Sequence, residues 1–452
     1  MRMYSSFLAR ILVLVMMMSI VGNATVMAAP EALFAYTITD SGYSVGKAGA
    51  IKGERTALSA AAFTPDTDKI TDLNGDPAFF NFYQGNESRL VLRQYTYSPT
   101  AKPNKIIDPF AASWVPSLVV PEPSWSNVAN LHAVATKNQW MYATGYDLAK
   151  IAVINMNNNY AQTSVSYQFP TSWPAISLPS TAEGHGEGLV VDGNNLYALF
   201  SVNPNGGYGV YSDSIVIKFT INPLNGALTY VNHLFVGKNA FTLDIYDNKL
   251  YVCAVGGMQN PGFANPDTRL DIIDLATFTK TTVTKLSSMT GEFRDISIVD
   301  ANHAYVFLGN YDASFANMVG GIYYTTVANL TSPSLWQQVT SVNSPGYLWG
   351  IYADANRLWF IKGTPVDIFS TLPTGSAVAD KNFTAAQMGQ AGGNLNSATI
   401  VAPDKTTGMA LKSSVAKSFA SHSVLAQQAR KAAEKVNKGL KTVNGQKILS
   451  FN

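Results

Sequence analysis

Short apolar runs separated by polar turns dominate the chain, and helical periodicity is missing before about residue 412. Runs such as Gly188-Leu-Val-Val-Asp192, Thr242-Leu-Asp-Ile-Tyr246 and Asp295-Ile-Ser-Ile-Val299 have strand length and are bounded by turn residues. Each is followed by a second run centred on an aromatic: Asn138-Gln-Trp-Met-Tyr142, Asn194-Asn-Leu-Tyr197, Asn248-Lys-Leu-Tyr251, Asn302-His-Ala-Tyr305 and Asn356-Arg-Leu-Trp359. The aromatics stand at 142, 197, 251, 305 and 359, so the unit repeats every 54 or 55 residues. A third run follows (Ile151–Ile154, Ile215–Ile217, Leu270–Ile273, Ile322–Tyr324, Val366–Phe369), then a more polar fourth, as in Ala227–Val231 and Thr279–Val283.

Four strands repeated at this period predict an all-β fold, a β-propeller of four-stranded blades, because no such blade buries both faces alone. An earlier unit is visible at Ala78–Phe82 and Arg89–Leu92, and Asn396–Val401 starts another inner strand. The 382 residues from 30 to 411 hold about seven units of this length, with six blades as the alternative. Strands near Ala32–Tyr36 are expected to share the last blade with the C-terminal ones, which leaves no open ring. In architecture the repeats resemble the bacterial exported β-propeller superfamily that includes YVTN-type, quinoprotein-like and lactonase-like propellers. The YVTN signature itself is missing, its nearest piece being Leu250-Tyr-Val252. The resemblance implies a fold and no activity.

Residues 1–28 change the picture of location. Arg2 and Arg10 precede an apolar stretch, Ile11–Val21, and small residues around Ala28, the order of a secretory signal. Export to the periplasm or cell surface is the expectation, with no later stretch long enough for a transmembrane helix. The propeller is expected over residues 29–411 and a basic, helical tail over 412–452. From residue 405 onward nine Lys or Arg face one acid, Glu434, which leaves a net −8 on residues 29–404. Leu425, Ala429, Ala433, Val436 and Leu440 sit at helical spacing, and the tail's charge suits an anionic envelope surface or the acidic propeller itself. Cys253 alone excludes an internal disulfide. The repeats carry no basic stripe for nucleic acid.

Candidate chemistry collects in the segments leading into the inner strands: Trp125, Asn130 and His132; Glu183, His185 and Glu187; Lys238 and Asn239; Glu292, Arg294 and Asp295; Tyr347 and Trp349. His132, His185, Glu187, Arg294, Tyr347 and Trp349 form the expected ligand-binding set, while Glu183, His185, Glu187 and Asp295 are the acid–base candidates. Segments Asn203–Asp213, Gly256–Asp267 and Asn310–Gly320 are expected as long loops over the same face. Asp66, Asp68, Asp72, Asn74 and Asp76 crowd hard oxygen donors as for calcium, although an Asp-rich turn explains them without an ion. Otherwise no cofactor is expected. Gly42-Tyr-Ser44-Val-Gly46 matches a nucleophile-elbow pattern but lacks the strand-to-helix context that gives the pattern meaning. The expected function is a cell-envelope binding or scaffolding module for a glycan, peptide or protein; the alternative is a propeller enzyme such as a lactonase, lyase or glycan-active hydrolase.

Overall fold

The computed structural model describes residues 31–401 except 55–62, 96–102, 112, 121–124, 126–129, 147–148, 170–171, 173–175, 179–181, 205–210, 258–266, 313–316, 346–348, 354–356, 363–365 and 370, together with 440–443 and 446–449. Seven four-stranded antiparallel sheets make up the ring. The innermost strands of blades 1 to 6 are Asp76–Gln84, Leu131–Lys137, Glu183–Asp192, Ala240–Tyr246, Glu292–Asp300 and Trp349–Ala353. In blade 7 the innermost strand, Asn394–Val401, comes from the C-terminal side and the other three, Glu31–Thr39, Gly46–Glu54 and Thr64–Leu73, from the N-terminal side. Leu33 pairs with Val401 and Tyr36 with Ala398, so chain closure is made by a ladder of hydrogen bonds. Seven blades, closed as the sequence suggests, replace the alternative of six.

The period-2 pattern explains why the ring holds. Each strand sends alternate side chains into the seams on either side, and seven hydrophobic clusters result, each straddling two adjacent blades. The repeated aromatics Tyr142, Tyr197, Tyr251, Tyr305 and Trp359 all sit in the seam with the following blade and are fully buried. At the closing seam Trp359 stacks on Phe34 of blade 7, with centroids 5.0 Å apart and planes 4° apart. Cys253 belongs to the core between blades 4 and 5.

The tail departs from the sequence expectation in its last part. The helical pattern from Ser423 falls outside the described residues up to 439. Beyond it, Leu440–Val443 and Gln446–Leu449 pair as a two-stranded sheet of their own. Asn444-Gly445 between alternating apolar and polar residues is a strong hairpin signal, and it overrides the helical register at Leu440.

Candidate functional site

Strand direction separates the two faces of the ring. Innermost strands start at what we term the upper face and end at the lower one. The lower connections between first and second strands are two-residue turns, Gly85-Asn86, Asn138-Gln139, Gly193-Asn194 and Asp247-Asn248 among them. Their left-handed residues, Gly85, Asn138, Gly193, Asp247 and Asn248, are the types that tolerate positive φ. Longer connections occur on both faces: those between third and fourth strands, such as the one from Thr325 to Gln337, on the lower one, and those between second and third strands on the upper one.

At that face blades 2, 3, 4 and 5 share one irregularity. The innermost strand slips by one residue against the second strand between Leu131 and Ala133, Gly186 and Gly188, Ala240 and Thr242, and Phe293 and Asp295. In every case the slip lies opposite the second and third residues after the repeated tyrosine, at Thr144/Gly145, Leu199/Phe200, Cys253/Ala254 and Phe307/Leu308. The bulged residues are His132, Glu187, Phe241 and Arg294. A bulge bends its strand and re-aims a side chain, and bulges concentrate beside functional sites. Four different chemistries therefore stand at one geometric position on four consecutive blades. A left-handed residue precedes three of these strands, Asn130, Asn239 and Gly291. In two of them its carbonyl accepts the N–H just beyond the second strand: Tyr146 to Asn130 at 2.9 Å and Val255 to Asn239 at 3.3 Å.

Between blades 2 and 3 the residues form a compact cluster. His132 is fully buried, and its Nε2 lies 3.3 Å from Glu187 Oε2. Ser201 Oγ donates to the other carboxylate oxygen at 2.7 Å. The Tyr146 ring stacks on His185 at 4.4 Å, lies 5.4 Å from the His132 ring, and its carbonyl meets His185 Nδ1 at 2.9 Å. The glycines of Glu183-Gly-His-Gly-Glu-Gly188 have a steric cause. A Cβ on Gly184 would stand 2.4 Å from Phe169, and one on Gly186 would stand 2.0 Å from Thr144, both in blade 2. A Cβ on Gly188, beyond the bulge, would press on Leu243 of blade 4 at 3.2 Å. The bulge at Glu187 thus swaps the seam that the small residues face.

On blade 5, Arg294 is buried, donates from Nε to Gly309 O at 2.9 Å and lies 3.6 Å from Glu292. Its carbonyl accepts from Thr242 of blade 4 at 2.7 Å. Asp295 does structural work: its oxygens accept the N–H of Ile296 at 2.8 Å and of Ile351, in blade 6, at 2.9 Å. Asn396 occupies a similar slip in blade 7. It accepts from Thr39 at 3.0 Å and reaches Asp76 Oδ1 at 3.4 Å. Asp76 in turn pairs with Arg93 at 3.1 Å, and Arg93 bonds Asn130 Oδ1 and, at 3.1 Å, Leu131 O. A polar chain thereby runs across blades 7, 1 and 2.

Several expectations need correction. Glu183 to Glu187 and Glu292 to Asp295 lie in the innermost strands themselves, not in loops leading to them; in the first, Gly184 and Gly186 let the strand lie close against blade 2. Trp125 is fully buried and donates to Tyr160 O at 2.8 Å, so it is core. Lys238 ends the fourth strand of blade 3 and pairs with Asp267 at 2.9 Å. That hydrogen bond and charge raise the Lys238 pKa; for Asp267, burial works to raise the value but Lys238 outweighs it and holds it low. Asn310 and Tyr311 are strand residues that pair with Val319 and Met318, while 313–316, like 205–210 and 258–266 of the other two expected loops, lie outside the described residues. Tyr347 lies outside the described residues, and Trp349 opens the innermost strand of blade 6.

The five presumed calcium donors do not converge. Asp66 pairs with Lys69 and Asp68 with Lys47, both at 2.8 Å on the outer part of blade 7. Asp72 is exposed, Asn74 accepts from Gln94 at 2.7 Å, and Asp76 is buried against Arg93. Among the described residues no three His, Cys, Asp or Glu side chains are placed to hold a metal ion. Ser44 sits in a turn whose N–H groups at 44 and 45 are capped by Asp40, with strands on both sides, so it is no nucleophile elbow. Sequence reasoning missed Tyr146, Phe241, Ser201 and Asn396. The spacing from His132 to Glu187, Phe241 and Arg294, 55, 54 and 53 residues, would have found Phe241.

No family model matches the chain, and no curated protein does. Solved structures are similar to it in fold. A candidate 6-phosphogluconolactonase from Bacteroides fragilis shares 13% identity with a TM-score of 0.53, over 83% of this chain and 99% of that one. Another from Bacteroides uniformis shares 12% at 0.49, over 82% and 98%. Apo AztD from Citrobacter koseri shares 10% at 0.42, over 82% and 98%. At such identities the likeness extends to the seven-bladed architecture and stops there.

Proposed function

We propose that the chain is an exported binding propeller of the cell envelope, which captures a glycan, peptide or protein ligand at the upper face. The observation that carries this reading is the bulge repeated at one register in blades 2 to 5, which falls at His132, Glu187, Phe241 and Arg294. Identical geometry with divergent chemistry suits recognition.

The enzymatic alternative draws less support. It needs two proton-transfer groups free of structural duty, yet Asp295 caps two backbone N–H groups and Glu187 is engaged by Ser201 and His132.

The test is a glycan, peptide and metal binding screen on the mature protein, repeated with His185→Ala and Glu187→Gln. Loss of one charge-assisted hydrogen bond is worth ~1.5–3 kcal/mol, so Glu187→Gln is expected to weaken the ligand by roughly tenfold or more. Unchanged binding of every ligand found, with both variants folded, would overturn the reading.

A further inference from the structure

The imidazole cluster between blades 2 and 3 is held by a residue that belongs to neither blade. Arg93 lies buried in the second strand of blade 1, Glu87–Tyr95. Its Nη2 donates to Asp76, to the carbonyl at 3.0 Å and to the carboxylate at 3.1 Å, which fixes the guanidinium against its own blade. Nη1 reaches into blade 2, where it donates to Asn130 Oδ1 and, at 3.1 Å, to Leu131 O. These are the two residues that precede the bulged His132. A planar fork with donors in fixed directions can grip both blades at once, which a compact ammonium on a flexible stem does not do.

The grip passes on to the rest of the cluster. Asn130 is left-handed, at φ 54°, and in that conformation its carbonyl accepts Tyr146 N–H at 2.9 Å. Tyr146 O in turn meets His185 Nδ1 at 2.9 Å, and the two rings stack. A carbonyl oxygen only accepts, so Nδ1 carries the proton and Nε2 of the neutral ring keeps its lone pair. His132 has no hydrogen bond at either ring nitrogen among the described residues, only the Glu187 carboxylate 3.3 Å from Nε2. An imidazole with so little to hold its ring is placed by its backbone, and Arg93 holds the two residues before it.

We propose, on the reading of the upper face as a binding site, that Arg93 is the positioning residue of that site. Through Asn130 and Leu131 it sets the bulge at His132, and through Asn130 and Tyr146 it sets the orientation and tautomer of His185. Were Arg93 needed only as the counter-charge of Asp76, any cation in its place would leave both imidazoles as they are.

The test compares two variants of the whole chain with the parent. Arg93→Lys keeps a cation beside Asp76 and removes the fork. Asn130→Gly keeps a residue at ease with positive φ and removes the side-chain acceptor, with the Arg93–Asp76 pair left in place. Ile368→Ala, in the core between blades 6 and 7, is the control for stability lost elsewhere. The readouts are amide exchange at Tyr146 and the nitrogen NMR signals of the His185 imidazole, assigned with His185→Gln. Loss of a hydrogen bond to a charged group predicts exchange at Tyr146 faster by about tenfold or more in Arg93→Lys and in Asn130→Gly. The His185 signals, those of the Nδ1–H tautomer in the parent, should move toward the average of the two tautomers in both. Ile368→Ala should change neither readout. Parent-like exchange and His185 signals in either variant would overturn the proposal, as would the same changes in Ile368→Ala. Neither measurement uses a ligand, whereas the binding reading fails on His185→Ala and Glu187→Gln in the screen, so the two failures are distinguishable.

Discussion

Replacing Arg93 with Leu tests the polar chain that joins the closing blade to its neighbours. Arg93 and Asp76 are 2% and 1% exposed, so the pair is a buried one whose rupture leaves a carboxylate without its counter-charge. Such single removals cost ~3–5 kcal/mol, against ~0–1 kcal/mol for an exposed pair. Arg93→Leu also frees Asn130 Oδ1 and the carbonyl of Leu131, while Asn396 Nδ2, at 3.4 Å, still offers Asp76 a weak donor. A loss of ~4 kcal/mol is expected. With an unfolding entropy of ~2.1 cal/mol/K per residue over roughly 370 residues, that lowers Tm by ~5 °C. The double variant Arg93→Leu with Asp76→Leu removes both charges and should recover part of the loss, because apolar replacement of a whole buried pair is often close to neutral. Thermal melts followed by circular dichroism on the four members of the cycle provide the readout. An Arg93→Leu protein that melts within a degree of the parent would refute the reasoning, as would a double variant no more stable than the worse single.

Tyr142 and Tyr251 occupy equivalent core positions, but the Tyr142 hydroxyl donates to Gly226 O at 3.0 Å, whereas the buried Tyr251 hydroxyl has no hydrogen-bond partner among the described residues. Tyr142→Phe should therefore cost ~1 kcal/mol and Tyr251→Phe nothing or less, and equal melting shifts would contradict this. Gly186→Ala forces a Cβ to within 2.0 Å of Thr144 Oγ1, which must turn away from Lys150 O; a cost of ~1–3 kcal/mol is expected, partly restored by Thr144→Ala, and an unshifted melt would count against the flush seam. Burial pushes the pKa of Tyr160 and Tyr197 up to about 12 and that of Tyr36, Tyr142, Tyr251 and Tyr305 higher still. Unfolded tyrosine ionises near ~10, so the unfolded chain sheds protons that the folded one keeps, and stability should hold below pH ~10 and fall as pH rises above it. Phenolate absorbance tracked with circular dichroism checks this, and ionisation of these tyrosines near pH 10 without unfolding would exclude it.

The fold was legible because its signal is redundant. Tyr142, Tyr197, Tyr251, Tyr305 and Trp359 fill the same seam position, so packing enforces one residue class at one spacing. Closure at Leu33–Val401 followed from an incomplete unit at each end. The site was legible only in part. His132, Glu187 and Arg294 stood out as polar residues near strand starts, but a bulge demands a backbone shape and no particular side chain, so Phe241 gave no chemical signal. Close inter-blade approach requires glycine at 184, 186 and 188, and only the packed ring reveals that approach. Asp295 looked like a catalytic acid because sequence does not show that a carboxylate caps the backbone of the next blade.

Hydrogen exchange on the protein, with and without a ligand from the binding screen, tests the central claim most directly. Protection is predicted in peptides covering 130–134, 185–189, 240–243 and 292–296, the four bulged strand starts, while the lower-face turns at 138–139, 193–194 and 247–248 stay unchanged. Protection confined to the lower-face turns or the outer strands, with none at the four bulges, would contradict it.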